Sequence, residues 1–379
     1  MLKRISILVG LLLLFTLPLG GQDDDLEEVD FFLSFVPNIQ FSPIYVSIAN
    51  GHMAEAGLTL NIEIGDENVG VDLIAAGQIE YGMISGEQVI LARAQERPVV
   101  YVYEWFQAYP IAIVIPDTSD IDEVSDLVGK RVGIPGRFGA TYSGLTALLR
   151  ANDLSESDIM LEPIGFSAPD VVCTGRLDAS VVYINNEPLQ IQQRADAGEC
   201  GDITSVGVIA VASQVDLVSN GIVTSEEQIE ENAAQVEAIV AAFDVGLRDT
   251  INNPAQAYLI SLDYVENLTI SDEFRTALED AAAAQAEFLA EEPDREAIID
   301  SREALLADLE SQFDDAMLIQ FRVLLATIDL WDAEQLGVSD VESWESTLDL
   351  LTALEIIDAE VDLEAAYTNQ FVPAAADDE

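Results

Sequence analysis

Ala76-Gly77-Gln78-Ile79-Glu80-Tyr81-Gly82-Met83-Ile84-Ser85 and Thr174-Gly175-Arg176-Leu177-Asp178-Ala179-Ser180-Val181-Val182-Tyr183 are two copies of one pattern. In each, a glycine closes a helix, an apolar residue and an acid follow, and a run of small and buried residues forms a strand. Two copies of one α/β unit predict two lobes of similar construction, and a cleft between lobes is a natural place for a ligand.

The flanking segments extend the pattern. Phe31 to Val36 is an apolar strand broken by Pro37-Asn38, and Ser42 to Asn50 is a helix closed by Gly51. Leu58, Leu60, Ile62 and Ile64 alternate as a half-buried strand, and Val69 to Ala76 is the helix that enters the first copy. Strands are predicted at 98–105, 111–115, 131–134 and 159–164, with a helix over 141–151 and another over 168–174. The alternation argues for an α/β fold whose sheets are mixed but mostly parallel and flanked by helices. The chain divides into lobe I (29–110 and 213–265), lobe II (111–212) and an acidic helical C-terminal extension (266–379). It crosses between lobes near 105–111 and 212–218, which makes a two-stranded hinge.

The N-terminus reads as a signal peptide over 1–21: Lys3 and Arg4, an apolar run from Ile5 to Leu19, then Gly20-Gly21. Residues 22–28 form an acidic tether. The protein is therefore expected to be exported, periplasmic or cell-surface, with cleavage near Gln22 or retention by the N-terminal segment as the two outcomes. No other stretch reaches ~18 uninterrupted apolar residues.

Seventy acids face fifteen bases, a net charge of −55, and Lys3 and Lys130 are the only lysines. So acidic a surface excludes a general affinity for nucleic acid or anionic membranes. Cys173 and Cys200 are the only cysteines. Their even number in an exported chain favours a disulfide, against two buried free thiols as the alternative. No Cys/His cluster marks a metal site, and no cofactor is expected.

In an open α/β sheet, ligands bind beyond the C-terminal ends of parallel strands. That rule selects Asn38 and Gln40, Ser85 and Gln88, Phe138 and Tyr142, and Tyr183, Asn186 and Glu187; Trp105 and Tyr109 lie at the crossover. The set is rich in rings and amides and poor in cations, which suits a planar heteroaromatic solute. Phe41, Tyr45 and Phe166 are expected in the core, and Trp105 either meets ligand or plugs the seam between lobes. The sole histidine, His52, stands at a helix end, so nucleophile–base machinery is not evident and the chain is not expected to be an enzyme.

These residues resemble the substrate-binding proteins of ABC importers, in the branch shared with thiamine-pyrimidine synthases and sulfonate- or nitrate-binding proteins. The resemblance is carried by Val36-Pro37-Asn38, Phe41 to Tyr45, Ala54-Glu55-Ala56-Gly57-Leu58, residues 77–82 of the first copy, and Asp126-Leu127-Val128-Gly129-Lys130-Arg131-Val132-Gly133. It covers about residues 29–265. It implies a two-lobed periplasmic-binding-protein fold of type II that captures a small solute and hands it to a membrane permease and ATPase complex. It also implies a thiamine pyrimidine precursor or riboflavin as ligand, held between rings and polar groups of both lobes, in a chain that acts as a monomer. An alkanesulfonate or nitrate receptor and a ligand-sensing module are the alternatives; the former needs a cationic pocket, for which Arg137 is the local candidate. The synthases of this fold consume their own histidine and lysine and carry a cysteine-rich motif, which this chain lacks.

Overall fold

The structure is a computed structural model that describes residues 26–374 except 35 and 267. The signal peptide and residues 22–25 of the tether lie outside the described residues, and the tether's last two residues, Glu27 and Glu28, belong instead to the first strand, where they pair with Leu58 and Thr59. Among the described residues, ten strands form two five-stranded sheets. In chain order they are β1 (Glu27–Leu33), β2 (Leu58–Ile64), β3 (Tyr81–Ser85), β4 (Val99–Glu104), β5 (Ile111–Pro116), β6 (Arg131–Ile134), β7 (Met160–Pro163), β8 (Ala179–Tyr183), β9 (Val206–Ala210) and β10 (Asn220–Ser225). The first sheet runs β2-β1-β3-β10-β4 and the second β7-β6-β8-β5-β9.

The repeat becomes visible in this order. β3 and β8 both stand third, next to a first strand (β1 or β6) that pairs in parallel with them and with β2 or β7. Gly77 (φ 62°) and Gly175 (φ 67°) end the preceding helices in the left-handed region, where a side chain is strained. The acid of each copy has the same task. Glu80 Oε2 accepts the Asp30 N–H of β1 at 2.9 Å, and Asp178 Oδ2 accepts the Arg131 N–H of β6 at 2.8 Å.

Pairing is half parallel and half antiparallel, less parallel than the sequence predicts. β10 runs against β3 and β4, and β5 runs against β8 and β9. The reason is the hinge: β5 and β10 are the strands the chain enters on crossing between sheets, so each arrives from the cleft side. Both crossings are hydrogen-bonded together, with the Trp105 and Phe106 N–H groups on the Asn220 carbonyl at 3.1 and 3.2 Å.

The C-terminal third packs on both faces of the first sheet. Phe31, Tyr103 and Trp105 share one core with Phe274, Phe321 and Trp331, while Phe32, Tyr101 and Val223 share another with Trp344 and Leu351. The acidic C-terminal extension is helical as expected, and it opens on two helices, Asp272–Leu289 and Arg295–Glu310, separated at Glu292 (φ 55°) and Pro293. Cys173 and Cys200 are bridged within lobe II. No described helix is long and apolar enough to cross a membrane.

Candidate functional site

A cavity of about 490 Å³ opens between the two sheets and is lined from both sides. Of the residues singled out in the sequence, the structure brings Asn38, Gln40, Trp105, Phe138, Tyr183, Asn186 and Glu187 to its wall. Asn38 caps the turn after β1: its Oδ1 accepts the Gln40 N–H at 2.8 Å, which sets the Gln40 side chain beside the cavity. Glu187 begins the helix Glu187–Asp196 and accepts the Tyr183 N–H at 2.9 Å, with Asn186 Nδ2 at 3.2 Å. Burial pushes its carboxyl above the usual range.

Four candidates lie off the wall. Ser85 is fully buried, with its N–H donated to Glu67 Oε1 at 2.7 Å, and Gln88 is buried in the helix Gly86–Arg93. The Tyr109 hydroxyl donates to the Ala140 carbonyl at 2.8 Å. The Tyr142 hydroxyl donates to Glu156 at 3.0 Å. The two tyrosines thus spend their hydroxyls within the protein.

Other residues take their places. Phe41 and Phe166 line the cavity instead of lying only in the core; Phe166 is 71% exposed. It sits beyond the C-terminal end of β7, a strand end the sequence reading left unused. Asp66, Glu67 and Asn68 follow β2 in the same way. Asn220 also lines the wall, and no pattern pointed to it. It opens β10, whose antiparallel direction brings an N-terminal end to the edge where parallel strands end. Tyr45 is core as expected, stacked on Tyr264 with ring centroids 4.4 Å apart.

Trp105 plays both parts. It is 3% exposed, stacks on Phe41 (5.6 Å) and Trp331 (5.5 Å), meets Phe106 edge-on at 4.7 Å, and still forms part of the cavity wall.

Among the described residues, no lysine, arginine or histidine lines the cavity, whereas Asp66, Glu67 and Glu187 do. Arg137 is turned away, its guanidinium on Glu156 at 2.5 and 2.9 Å. His52 is remote as well, with Nε2 2.8 Å from Asp249. Glu67 reaches across the cleft: a Cβ built on Gly139, at the start of the lobe II helix Gly139–Ala151, would lie 3.6 Å from its Oε2. Behind it, Glu87 is 1% exposed, and burial together with the neighbouring Glu67 charge raises its carboxyl to about 8. The wall is thus aromatic, amide-bearing and acidic. It can stack a flat ring and accept hydrogen bonds from its edge, and it has no group that would neutralise a strong anion.

Such a cleft, on two sheets of this order, is that of the two-lobed periplasmic-binding-protein fold. The sulfonate-binding protein SsuA of Escherichia coli has the same fold, with a TM-score of 0.61 at 14% identity over 89% of this chain and 96% of that one. The SsuA of Xanthomonas axonopodis, solved with MOPS bound, gives 0.59 at 13% identity over 90% and 98%. The NMT1/THI5-like family model matches residues 38–257, and the chain belongs to that family. The riboflavin-binding protein RibY of Chloroflexus aurantiacus is 30% identical over 367 residues, 95% of this chain and 90% of that protein. The formylaminopyrimidine-binding protein of Halalkalibacterium halodurans is 29% identical over 266 residues, 69% of this chain and 78% of its own length.

Proposed function

We propose that the protein is the exported solute-binding receptor of an ABC importer and that it captures a planar heteroaromatic vitamin-type compound, riboflavin or a thiamine pyrimidine precursor. The observation that carries this reading is the cavity wall: rings, amides and carboxylates from both lobes, and no cation. Its volume lies within the ~300–1,000 Å³ of ordinary small-molecule sites. The two binding-protein relatives support a heteroaromatic ligand.

A sulfonate or nitrate would meet Asp66, Glu67 and Glu187 without a compensating guanidinium, because Arg137 is spent on Glu156. The SsuA likeness is a likeness of fold, and the wall chemistry differs from what an anion requires. Catalysis is disfavoured for a related reason: the wall offers no histidine, cysteine or lysine to act as base or activated nucleophile.

A thermal-shift panel on the mature chain tests the proposal. Riboflavin and pyrimidine precursors should raise Tm in proportion to the logarithm of ligand excess, and taurine and nitrate should leave it unchanged. Stabilisation by taurine alone would overturn the ligand class.

A further inference from the structure

Asn185 sits between two cavity residues, Tyr183 and Asn186, but is not part of the wall; it is 1% exposed. Its Nδ2 donates twice, to Gln40 Oε1 of lobe I at 2.9 Å and to Thr327 Oγ1 at 2.7 Å. Thr327 is fully buried in the C-terminal helix Asp315–Trp331, and its own hydroxyl proton goes to the Val323 carbonyl at 2.6 Å, leaving a lone pair for Asn185.

One turn further on, the same helix ends against the hinge. The Leu330 carbonyl accepts the Gln107 and Ala108 N–H groups at 2.9 and 3.3 Å, and the Trp331 ring stacks on Trp105. The following helix, Val341–Ala353, holds the other crossing through Thr347 Oγ1, which accepts the Val218 N–H at 3.0 Å. The C-terminal segment therefore touches the site loop of lobe II, the first crossing and the second crossing, with a hydrogen bond at each.

We propose that Asn185 and Thr327 are positioning residues that fix the Asn186–Glu187 loop against Gln40 and tie its placement to the hinge through the helix Asp315–Trp331. Nothing in the sequence of either lobe supplies this tie; it depends on a helix some 140 residues away along the chain from Asn185, at 142 by the bond itself. Opening the lobes requires Asn185 to leave Gln40, Thr327 or both, and a buried amide that loses a partner pays for its desolvation. Removing the Thr327 acceptor lowers the cost of leaving the closed arrangement and shifts the population toward open forms.

The test is Thr327→Val, which keeps the shape and deletes the acceptor, beside Thr327→Ser, which restores it. Spin labels at the exposed positions of Glu55→Cys and Asp120→Cys report the distance between lobes in the ligand-free protein. Thr327→Val should broaden and lengthen the distance distribution, with Thr327→Ser matching the parent. Riboflavin release should accelerate about fivefold in the valine variant, the equivalent of one ordinary hydrogen bond. This second readout rests on the function proposed above, whereas the distance readout does not. A shifted distribution without riboflavin binding by the parent would thus retain the tie and reject the ligand. If Thr327→Val does not fold, Thr327→Ala takes its place. An unchanged distribution in the folded variant overturns the proposal.

Discussion

Glu187 concentrates the chemistry of the cleft, because one carboxylate both ties the start of its helix to the end of β8 and lines the cavity. Its Oε2 is engaged by the Tyr183 N–H and its Oε1 by Asn186 Nδ2, and the lone pairs that remain on the two oxygens can accept from a ligand donor. Glu187→Gln keeps an oxygen for the Tyr183 N–H and removes the charge. Charge-assisted bonds are roughly twice as strong as neutral ones, so riboflavin affinity should fall about tenfold in a calorimetric titration with Tm little changed. Unaltered affinity would remove Glu187 from the site. Trp105→Ala is a poorer probe. With rings of Phe41, Phe106 and Trp331 packed on it, truncation should cost ~3–5 kcal/mol of stability by leaving a core cavity.

At the scale of elements, the helix Glu226–Asn252 lies on the helix Ser42–Ala49 so closely that Ser47 Oγ reaches the Ala242 carbonyl at 2.6 Å. Gly246 makes this approach possible: a Cβ there would stand 2.4 Å from the Pro43 carbonyl oxygen and 2.6 Å from Ser47 Cβ. Backbone cannot yield as a flexible side chain does. Gly246→Ala should therefore destabilise by ~1–3 kcal/mol in chemical denaturation, despite alanine's better helix propensity; equal stability would show that the two helices can part. The disulfide acts on the unfolded chain. Closing a loop across a separation of 27 residues contributes ~3–4 kcal/mol in the loop-entropy model, and reduction should lower Tm accordingly.

The same elements show what a sequence reveals and what it hides. The parallel halves of both sheets were legible because helix, glycine and buried strand follow one another locally. The antiparallel part was legible only in part: β4 and β5 fall at the predicted 98–105 and 111–115, whereas β9 and β10 were not predicted as strands. β9 is an edge strand of partly exposed Val206 to Ala210, without alternation, and direction is a property of the crossing rather than of the strand. The site divides similarly. Asn38, Phe138 and Glu187 follow parallel strands and were found by rule, whereas Asn220 begins an antiparallel one. Ser85, Gln88 and Tyr142 obeyed the same rule of position and Tyr109 the crossover, but Ser85 and Gln88 are buried off the wall and the two hydroxyls donate to Ala140 and Glu156, which spacing does not encode.

At the scale of the whole molecule, acid excess and burial act together. Glu87 and Glu104 are both raised to about 8, Glu87 by burial and the charge of Glu67, Glu104 by burial with Asp340 and Asp216 adding to it. A carboxyl whose folded pKa exceeds its unfolded value of ~4.3 favours the folded state in its protonated form. Its contribution is complete below the unfolded pKa and is lost as pH rises through the folded pKa. Tm should consequently fall between about pH 4.5 and pH 8, and Glu87→Gln, neutral throughout, should flatten part of that slope. An identical slope in the variant would refute the buried carboxyl as its source.

A cavity walled by rings, amides and carboxylates should take up a flat, hydrogen-bond-donating ring and refuse a sulfonate. Calorimetric titration of the mature chain at pH 7 with riboflavin, a thiamine pyrimidine precursor and taurine in turn tests it most directly. One of the two ring compounds should bind with a stoichiometry of one and a negative heat-capacity change from buried apolar surface, and taurine should give no heat of binding. Saturable taurine binding with neither ring compound taken up would contradict it.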